Sequence, residues 1–277
     1  VSSHITRRTL LTGAAGVVVI GLGAAAVEGP RTLAKHLRDD VMGKPEAVIP
    51  TAPEGQIHLD TVYSHARGQD VTLFTAVPAG YGSGAGLPVC LILHGASARP
   101  PDYQPFGFGR FLTAAVRHGA PPFVLAGADG GLLFWEPGHE AGDNPQAMVL
   151  DEMPGWLDRR GFDTSRTAAW GWSMGGYGVL RLAEVKPNWL KAVAAFSPAV
   201  EPDDRAFGGI AALAGQPTGV WIGTSDPLYQ NVRQFVAAMP QRPDPLFYGK
   251  GAHTRAFWDS VTPEAFAYIG EKLTPSG

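Results

Sequence analysis

The chain has 277 residues, 45% of them hydrophobic and 17% charged, with a formal net charge of -3. That suffices for one sizeable α/β domain with its own core, while the slightly acidic balance and the lack of a basic stripe argue against nucleic acid as a partner. The single cysteine, Cys90, excludes an internal disulfide, and no Cys or His cluster has metal-ligand spacing, so neither a metal nor another cofactor is expected.

Thr6-Arg7-Arg8-Thr9-Leu10-Leu11, followed by TGAAGVVVIGLGAAAV, pairs adjacent arginines with an uncharged, moderately apolar stretch, the makeup of a twin-arginine (Tat) export signal. Residues 1–30 are therefore expected to be a signal or an N-terminal membrane anchor, with Ala24-Ala25-Ala26 as a small-residue cleavage site. The protein is expected outside the cytoplasm, in the periplasm or cell envelope or secreted, and membrane-associated where that segment is retained. Residues 31–55, a basic-then-acidic amphiphilic piece followed by a Pro-rich run, read as a linker, and residues 56–277 as the folded domain.

IHLDTVYS and QDVTLFTAVP alternate as antiparallel opening strands do, with Arg67-Gly68-Gln69-Asp70 as their turn. Leu87 to His94, LPVCLILH, is a near-continuous apolar run of the fully buried type and leads into His94-Gly95-Ala96. Cys90 lies inside it, as a small core residue rather than a reactive thiol. Further strands are expected at Phe123 to Ala126, Ala168 to Trp170, Ala192 to Phe196, Val220 to Gly223 and Leu246 to Tyr248. Their alternation with helical patterns is the α/β pattern. The Pro/Gly-rich patches Ala79 to Pro88 and Ser97 to Pro105 read as loops, and no internal repeat or second domain is visible.

The most informative stretch is AAWGWSMGGYGVLRLAE, in which Gly171-Trp172-Ser173-Met174-Gly175 joins a short strand to a helix. A serine on so sharp a turn is held in a strained conformation with its hydroxyl exposed, and the flanking glycines omit side chains that would collide across it. The same pattern could be a plain Gly-rich helix start, but the strand before it and the helix after it are the context that a nucleophile elbow requires. A serine nucleophile needs an acid and a base, in that chain order. Asp226, just past the strand in GVWIGTSDPLY, and His253, in the glycine loop of DPLFYGKGAHTRAFW, satisfy it.

Rivals exist for each. Asp203 and Asp204 sit in AVEPDDRAFGG, where capping a helix is the better reading. His4 lies in the export segment, His36 and His58 precede the core, His65 is in a polar turn, and His118 ends a helical pattern. His139, in the loop after Asp129, should reach the same edge, but it precedes the serine. The oxyanion of an acyl-transfer intermediate would be met by the amides of Met174 and Ala96, with Gly95 as the fallback. His94 is expected to brace that loop rather than handle protons. Candidates to border the substrate pocket are His94, Phe134, Trp135 and His139; for the aromatic pair, plain packing is an equal alternative. Trp172 and Trp258 read as packing that holds the serine and histidine turns.

LILHGA, AGADGGLLFW, GWSMGGYG, IGTSDPLY and GAHTRAFW together resemble the esterase branch of the α/β-hydrolases, which holds esterase D, many feruloyl and acetyl-xylan esterases and the antigen 85 mycolyltransferases. The resemblance covers about residues 44 to 275. It implies a mostly parallel central sheet with helices on both faces, and the chain itself shows no large lid. It also implies Ser173 as nucleophile, Asp226 as acid, His253 as base and the Met174 and Ala96 amides as oxyanion hole, the roles that chain order and context assign. The antigen 85 group uses a glutamate as acid and lacks a histidine at the position of His94, so mycolyl transfer does not follow. The leading expectation is an exported serine esterase that acts on a small-molecule, glycan or lipid ester through an acyl-enzyme. An acyltransferase with a sugar hydroxyl as acceptor is the alternative, and a non-catalytic envelope-binding protein on the same fold is a third reading. The absence of a long apolar insertion between Phe196 and Val220 favours short or soluble esters.

Overall fold

The computed structural model describes residues 49–138 and 142–274. Its strands are β1 (Ile57–Ser64), β2 (Gln69–Ala76), β3 (Pro88–Leu93), β4 (Val124–Ala128), β5 (Asp163–Trp172), β6 (Leu190–Phe196), β7 (Thr218–Gly223) and β8 (Leu246–Gly249). They form one eight-stranded sheet in the order β1-β2-β4-β3-β5-β6-β7-β8. Only β1 with β2 and β2 with β4 pair antiparallel; from β4 to β8 every pairing is parallel. The strands most sharply marked in the sequence are those covered on both faces: every residue of β3, β4 and β7 is buried. Strand β1, at the edge, is mostly exposed.

Helices α1 (Phe108–Arg117) and α6 (Arg255–Leu273) cover one face, while α2 (Met153–Asp158), α3 (Met174–Val185), α4 (Arg205–Gly209) and α5 (Tyr229–Ala238) lie on the other. The period-two alternation of β3 shows how the core divides. Cys90 and Ile92 join an aromatic-rich cluster with Phe108, Trp170, Trp172, Trp221 and Phe266, whereas Val89, Leu91 and Leu93 join the cluster of Val179, Leu180, Val232 and Phe235. Trp170 meets Phe108 and Phe266 edge-on at ring separations of 4.8 and 5.1 Å. Cys90 is fully buried, and burial pushes its thiol far above its usual pKa, so it stays protonated.

Sequence and structure differ in two places before the site. The β1–β2 turn spans His65 to Gly68, not Arg67 to Asp70: Gly68 adopts φ 63°, and pairing resumes at once with Ser64 opposite Gln69. The sequence pattern did not register that Arg67 is buried, tied to the Asp143 carboxylate and the Asp129 carbonyl, which folds the hairpin tip against the loop after β4. Residues 49–55, the end of the expected linker, lie against the domain. Ile49 packs on the aromatic-rich cluster, and a β-carbon on Gly55 would sit 2.1 Å from the Val77 carbonyl oxygen. Residues 1–48, including the expected export segment, lie outside the described residues. Among the described residues, no helix is long and apolar enough to cross a membrane.

Candidate active site

Because β4, β3, β5, β6, β7 and β8 run in one direction, the segments that follow them gather at one edge of the sheet, where open α/β sheets place their reacting groups. Ser173 sits there between β5 and α3 with φ 55° and ψ -119°, a conformation that a non-glycine residue holds only under strain imposed by its surroundings. Those surroundings are identifiable. The Ser173 amide donates to the Phe196 carbonyl at 2.9 Å, and the Ser173 carbonyl accepts from the Tyr177 and Ala199 amides, each at 3.0 Å. On Gly171, a β-carbon would lie 2.4 Å from the Gly175 carbonyl oxygen, so the turn closes only with glycine there.

Two other loops are knitted together before they meet the serine. The amides of Thr224 and Ser225 donate to the carbonyls of Gly249 and Gly251 at 2.7 and 2.8 Å. This fastens the segment after β7 to the segment after β8 and sets Asp226 beside His253. The His253 Nδ1 lies 2.9 Å from Asp226 Oδ2, and its Nε2 lies 2.9 Å from Ser173 Oγ. A carboxylate only accepts, so Nδ1 carries the proton and Nε2 is left to accept from the serine hydroxyl. The other carboxylate oxygen of Asp226 accepts the Leu228 amide at 2.9 Å, and Asp226 is 4% exposed against 9% for both Ser173 and His253. Trp258 meets the His253 ring edge-on at 5.0 Å and donates its indole N–H to Ser197 Oγ at 3.0 Å, which holds the imidazole from behind.

The rival carboxylates do other work. Asp204 caps α4 by accepting the amides of Ala206 and Phe207 at 2.8 and 3.1 Å, and Asp203 is exposed. His118 ends α1 with Nδ1 2.7 Å from the Ala114 carbonyl.

The loop that holds Ala96 lies directly beside the serine turn. A β-carbon on Gly95 would come within 3.3 Å of the carbonyl of Trp172, and one on Gly175 within 2.8 Å of the carbonyl of His94. The first turn of α3, with the Met174 amide, is thereby pressed against His94-Gly95-Ala96.

The pocket expectations need correction. His94 is fully buried, with Nδ1 2.9 Å from the Gly95 carbonyl and Nε2 accepting the Gly130 amide at 2.9 Å, so both ring nitrogens are occupied and it borders no pocket. Trp135 is 1% exposed and is a packing residue. Its ring fills a slot left open by Gly130 and Gly178, where β-carbons would come within 2.5 and 2.6 Å of it, and its indole donates to the His94 carbonyl at 3.2 Å. Phe134 remains partly exposed at φ 55°, with its ring edge-on to Tyr177 at 5.9 Å. His139 lies outside the described residues.

The sequence reading overlooked the polar frame beneath this loop. Arg99 pairs with Asp129 at 3.2 Å and donates to the carbonyls of Ala96 and Ala98, while the Asp129 carboxylate also accepts the Gly131 amide at 2.8 Å. With Arg67 it ties the segments after β3 and β4 to the hairpin. Nothing in the spacing of these residues marks them; only the tertiary approach of three loops does.

A hydrogen-bonded serine, histidine and aspartate at the N-terminus of a helix can carry out acyl transfer. Among the described residues, no group of His, Cys, Asp and Glu could hold a metal ion.

Comparison with known proteins places the chain in a family. The family model described as "Putative esterase" matches residues 64–271. No curated protein matches the chain. Among solved structures, the S-formylglutathione hydrolase of Agrobacterium tumefaciens superposes with a TM-score of 0.65 at 16% identity, over 80% of this chain and 99% of that one. A feruloyl esterase module from Clostridium thermocellum, complexed with sinapinate, gives 0.67 at 14% identity, over 84% and 95%. The Mycobacterium tuberculosis protein MPT51 gives 0.64 at 15% identity, over 81% and 100%. At these identities the superpositions show a shared α/β-hydrolase fold.

Proposed function

We propose that this chain, which belongs to the family described as "Putative esterase", hydrolyses carboxylic esters outside the cytoplasm by way of Ser173, His253 and Asp226. Family membership makes it a carboxylic ester hydrolase of the serine type. The observation that carries the finer reading is the unbroken run of hydrogen bonds from Asp226 Oδ2 through both nitrogens of His253 to Ser173 Oγ.

Ser173 Oγ attacks the ester carbonyl carbon as His253 Nε2 takes the hydroxyl proton, and the carbonyl oxygen becomes an oxyanion held by the Met174 and Ala96 amides. Asp226 stabilises the imidazolium without itself taking the proton. Collapse of the intermediate expels the alcohol, which leaves with the proton from Nε2. Water then attacks the acyl-enzyme as it gives a proton to His253 Nε2, and the second intermediate collapses to release the acid while Nε2 returns that proton to Ser173 Oγ.

Export rests on Arg7-Arg8 and the apolar stretch behind them. The preference for short or soluble esters rests on the segment between β6 and β7, which contains only α4 and one 3-10 turn, Ile210–Leu213. The fold relatives named as a feruloyl esterase and as a hydrolase of the thioester S-formylglutathione make small acyl groups the first substrates to try.

The test is a p-nitrophenyl ester series of increasing acyl length with trehalose present. Free acid as product, with turnover falling as the chain lengthens, supports the reading; acylated trehalose as the main product replaces it with acyl transfer. In cells, Arg7→Lys with Arg8→Lys should leave the enzyme in the cytoplasm, and unchanged export would remove the Tat assignment.

A further inference from the structure

We infer that His94 is a positioning residue for the reaction: its Nδ1–H fixes the Gly95–Ala96 peptide and so aims the Ala96 amide at the developing oxyanion. The inference rests on the reading of Ser173 as nucleophile and of the Ala96 amide as an oxyanion donor.

A trans peptide is planar, and its C=O and N–H point in opposite directions. The peptide that carries the Ala96 N–H also carries the Gly95 carbonyl, so whatever holds the carbonyl sets the direction of the amide. That carbonyl is held twice, by His94 Nδ1 at 2.9 Å and by the Ala98 amide at 3.2 Å. The Ala98 bond belongs to the loop's own turn. The imidazole, although it belongs to the neighbouring residue, is the constraint anchored outside that turn, through its Nε2 bond to the Gly130 amide.

The ring is itself locked in the state the task needs. A carbonyl only accepts, so Nδ1 must bear a proton, and the Gly130 amide only donates, so Nε2 must offer its lone pair. The neutral Nδ1–H tautomer satisfies both partners and the opposite tautomer satisfies neither. Burial pushes the imidazole below its ordinary pKa of 6.5, against the pull of the Asp129 carboxylate 3.5 Å from Nε2 and with the help of Arg99, so the ring stays neutral at neutral pH. Trp135 prevents it from turning: its ring stands 4.9 Å away, and its indole holds the His94 carbonyl.

Asparagine and glutamine separate the two nitrogens. In His94→Asn the side-chain amide N–H can take the place of Nδ1–H toward Gly95, and in His94→Gln the amide oxygen can take the place of Nε2 toward Gly130. Against p-nitrophenyl acetate, His94→Ala and His94→Gln should lose roughly 100-fold or more in kcat with KM changed by less than about threefold, the mark of a donor lost in the transition state. His94→Asn should recover to within about tenfold of wild type. Thermal midpoints establish that each variant is folded, and if His94→Ala does not fold, the Asn and Gln pair decides alone. Equal rescue by Gln and Asn, or kcat of His94→Ala and His94→Gln within about twofold of wild type, overturns the inference. Failure of the wild type itself to react with a fluorophosphonate overturns the reading of Ser173 and the inference with it.

Discussion

Gly175 lies so close to Leu93 that a β-carbon on it would stand 1.8 Å from the Leu93 carbonyl oxygen. The end of β3 and the start of α3 are therefore in backbone contact, and this contact sets the oxyanion loop beside the nucleophile. Backbone cannot yield as a side chain can. Gly175→Ala should force α3 away from β3, lower stability by several kcal/mol, on the order of 3 or more, and abolish turnover in whatever protein folds. Gly208→Ala, in α4 with open space around it, should raise stability by about 0.5 to 1 kcal/mol and leave turnover unchanged. Thermal melts and ester turnover of the two variants check this; a folded, active Gly175→Ala enzyme would disprove the close contact.

Asp226→Asn should reduce kcat by about 10⁴ with little loss of stability, because an amide that donates toward Nδ1 holds the histidine in the wrong tautomer. Asp204→Ala should do the reverse. It removes the cap of α4 at a cost of about 1 kcal/mol and leaves kcat within about twofold of wild type. Kinetics and melting curves on both variants decide the assignment, and a crippled Asp204→Ala enzyme would transfer the acid role to the wrong side of the fold.

Much of this arrangement is legible in the sequence, for reasons that differ by element. Strands β3 and β7 announce themselves because burial on both faces demands unbroken apolar runs, and Ser173 and Asp226 stand out because each follows the buried end of a strand. His253 follows β8, a partly exposed edge strand, and is marked by its glycine loop and by its place after the serine and the acid. Edge elements are less plain. The β1–β2 turn is misplaced by sequence because Arg67 looks like a turn residue and is a buried anchor. Trp135 and His94 look like pocket residues because their loops lead to the active edge. The Trp135 ring fills vacancies at Gly130, in the loop after β4, and at Gly178, in α3, and no local pattern reports a slot assembled from both.

Glu184 supplies a pH test. Its side chain is buried in α3 and paired with Arg181, with one carboxylate oxygen unpartnered. Burial pushes its pKa from 4.5 up to about 8, with Asp204 and Glu136 adding to the rise and Arg181 opposing it. Between those values the native state holds a proton that the unfolded chain releases. The stability contribution is therefore complete below pH 4.5 and lost as pH rises through about 8. Glu184→Gln, which mimics the protonated form, should melt progressively above wild type as pH rises through that window. Melting curves from acid to alkaline pH check it, and a gap that stays constant or narrows with pH would show that Glu184 is ionised throughout.

The central claim is that Ser173, activated by His253, is the nucleophile. A fluorophosphonate probe on the wild type and on Ser173→Ala, followed by intact-mass measurement and peptide mapping, tests it most directly. The wild type should gain one adduct, on the peptide that contains Ser173. The variant should gain none, keep its melting temperature and lose on the order of 10⁴ to 10⁶ in ester turnover. An adduct on another residue, or a Ser173→Ala enzyme that still labels and turns over ester at more than about a tenth of the wild-type rate, would contradict the account.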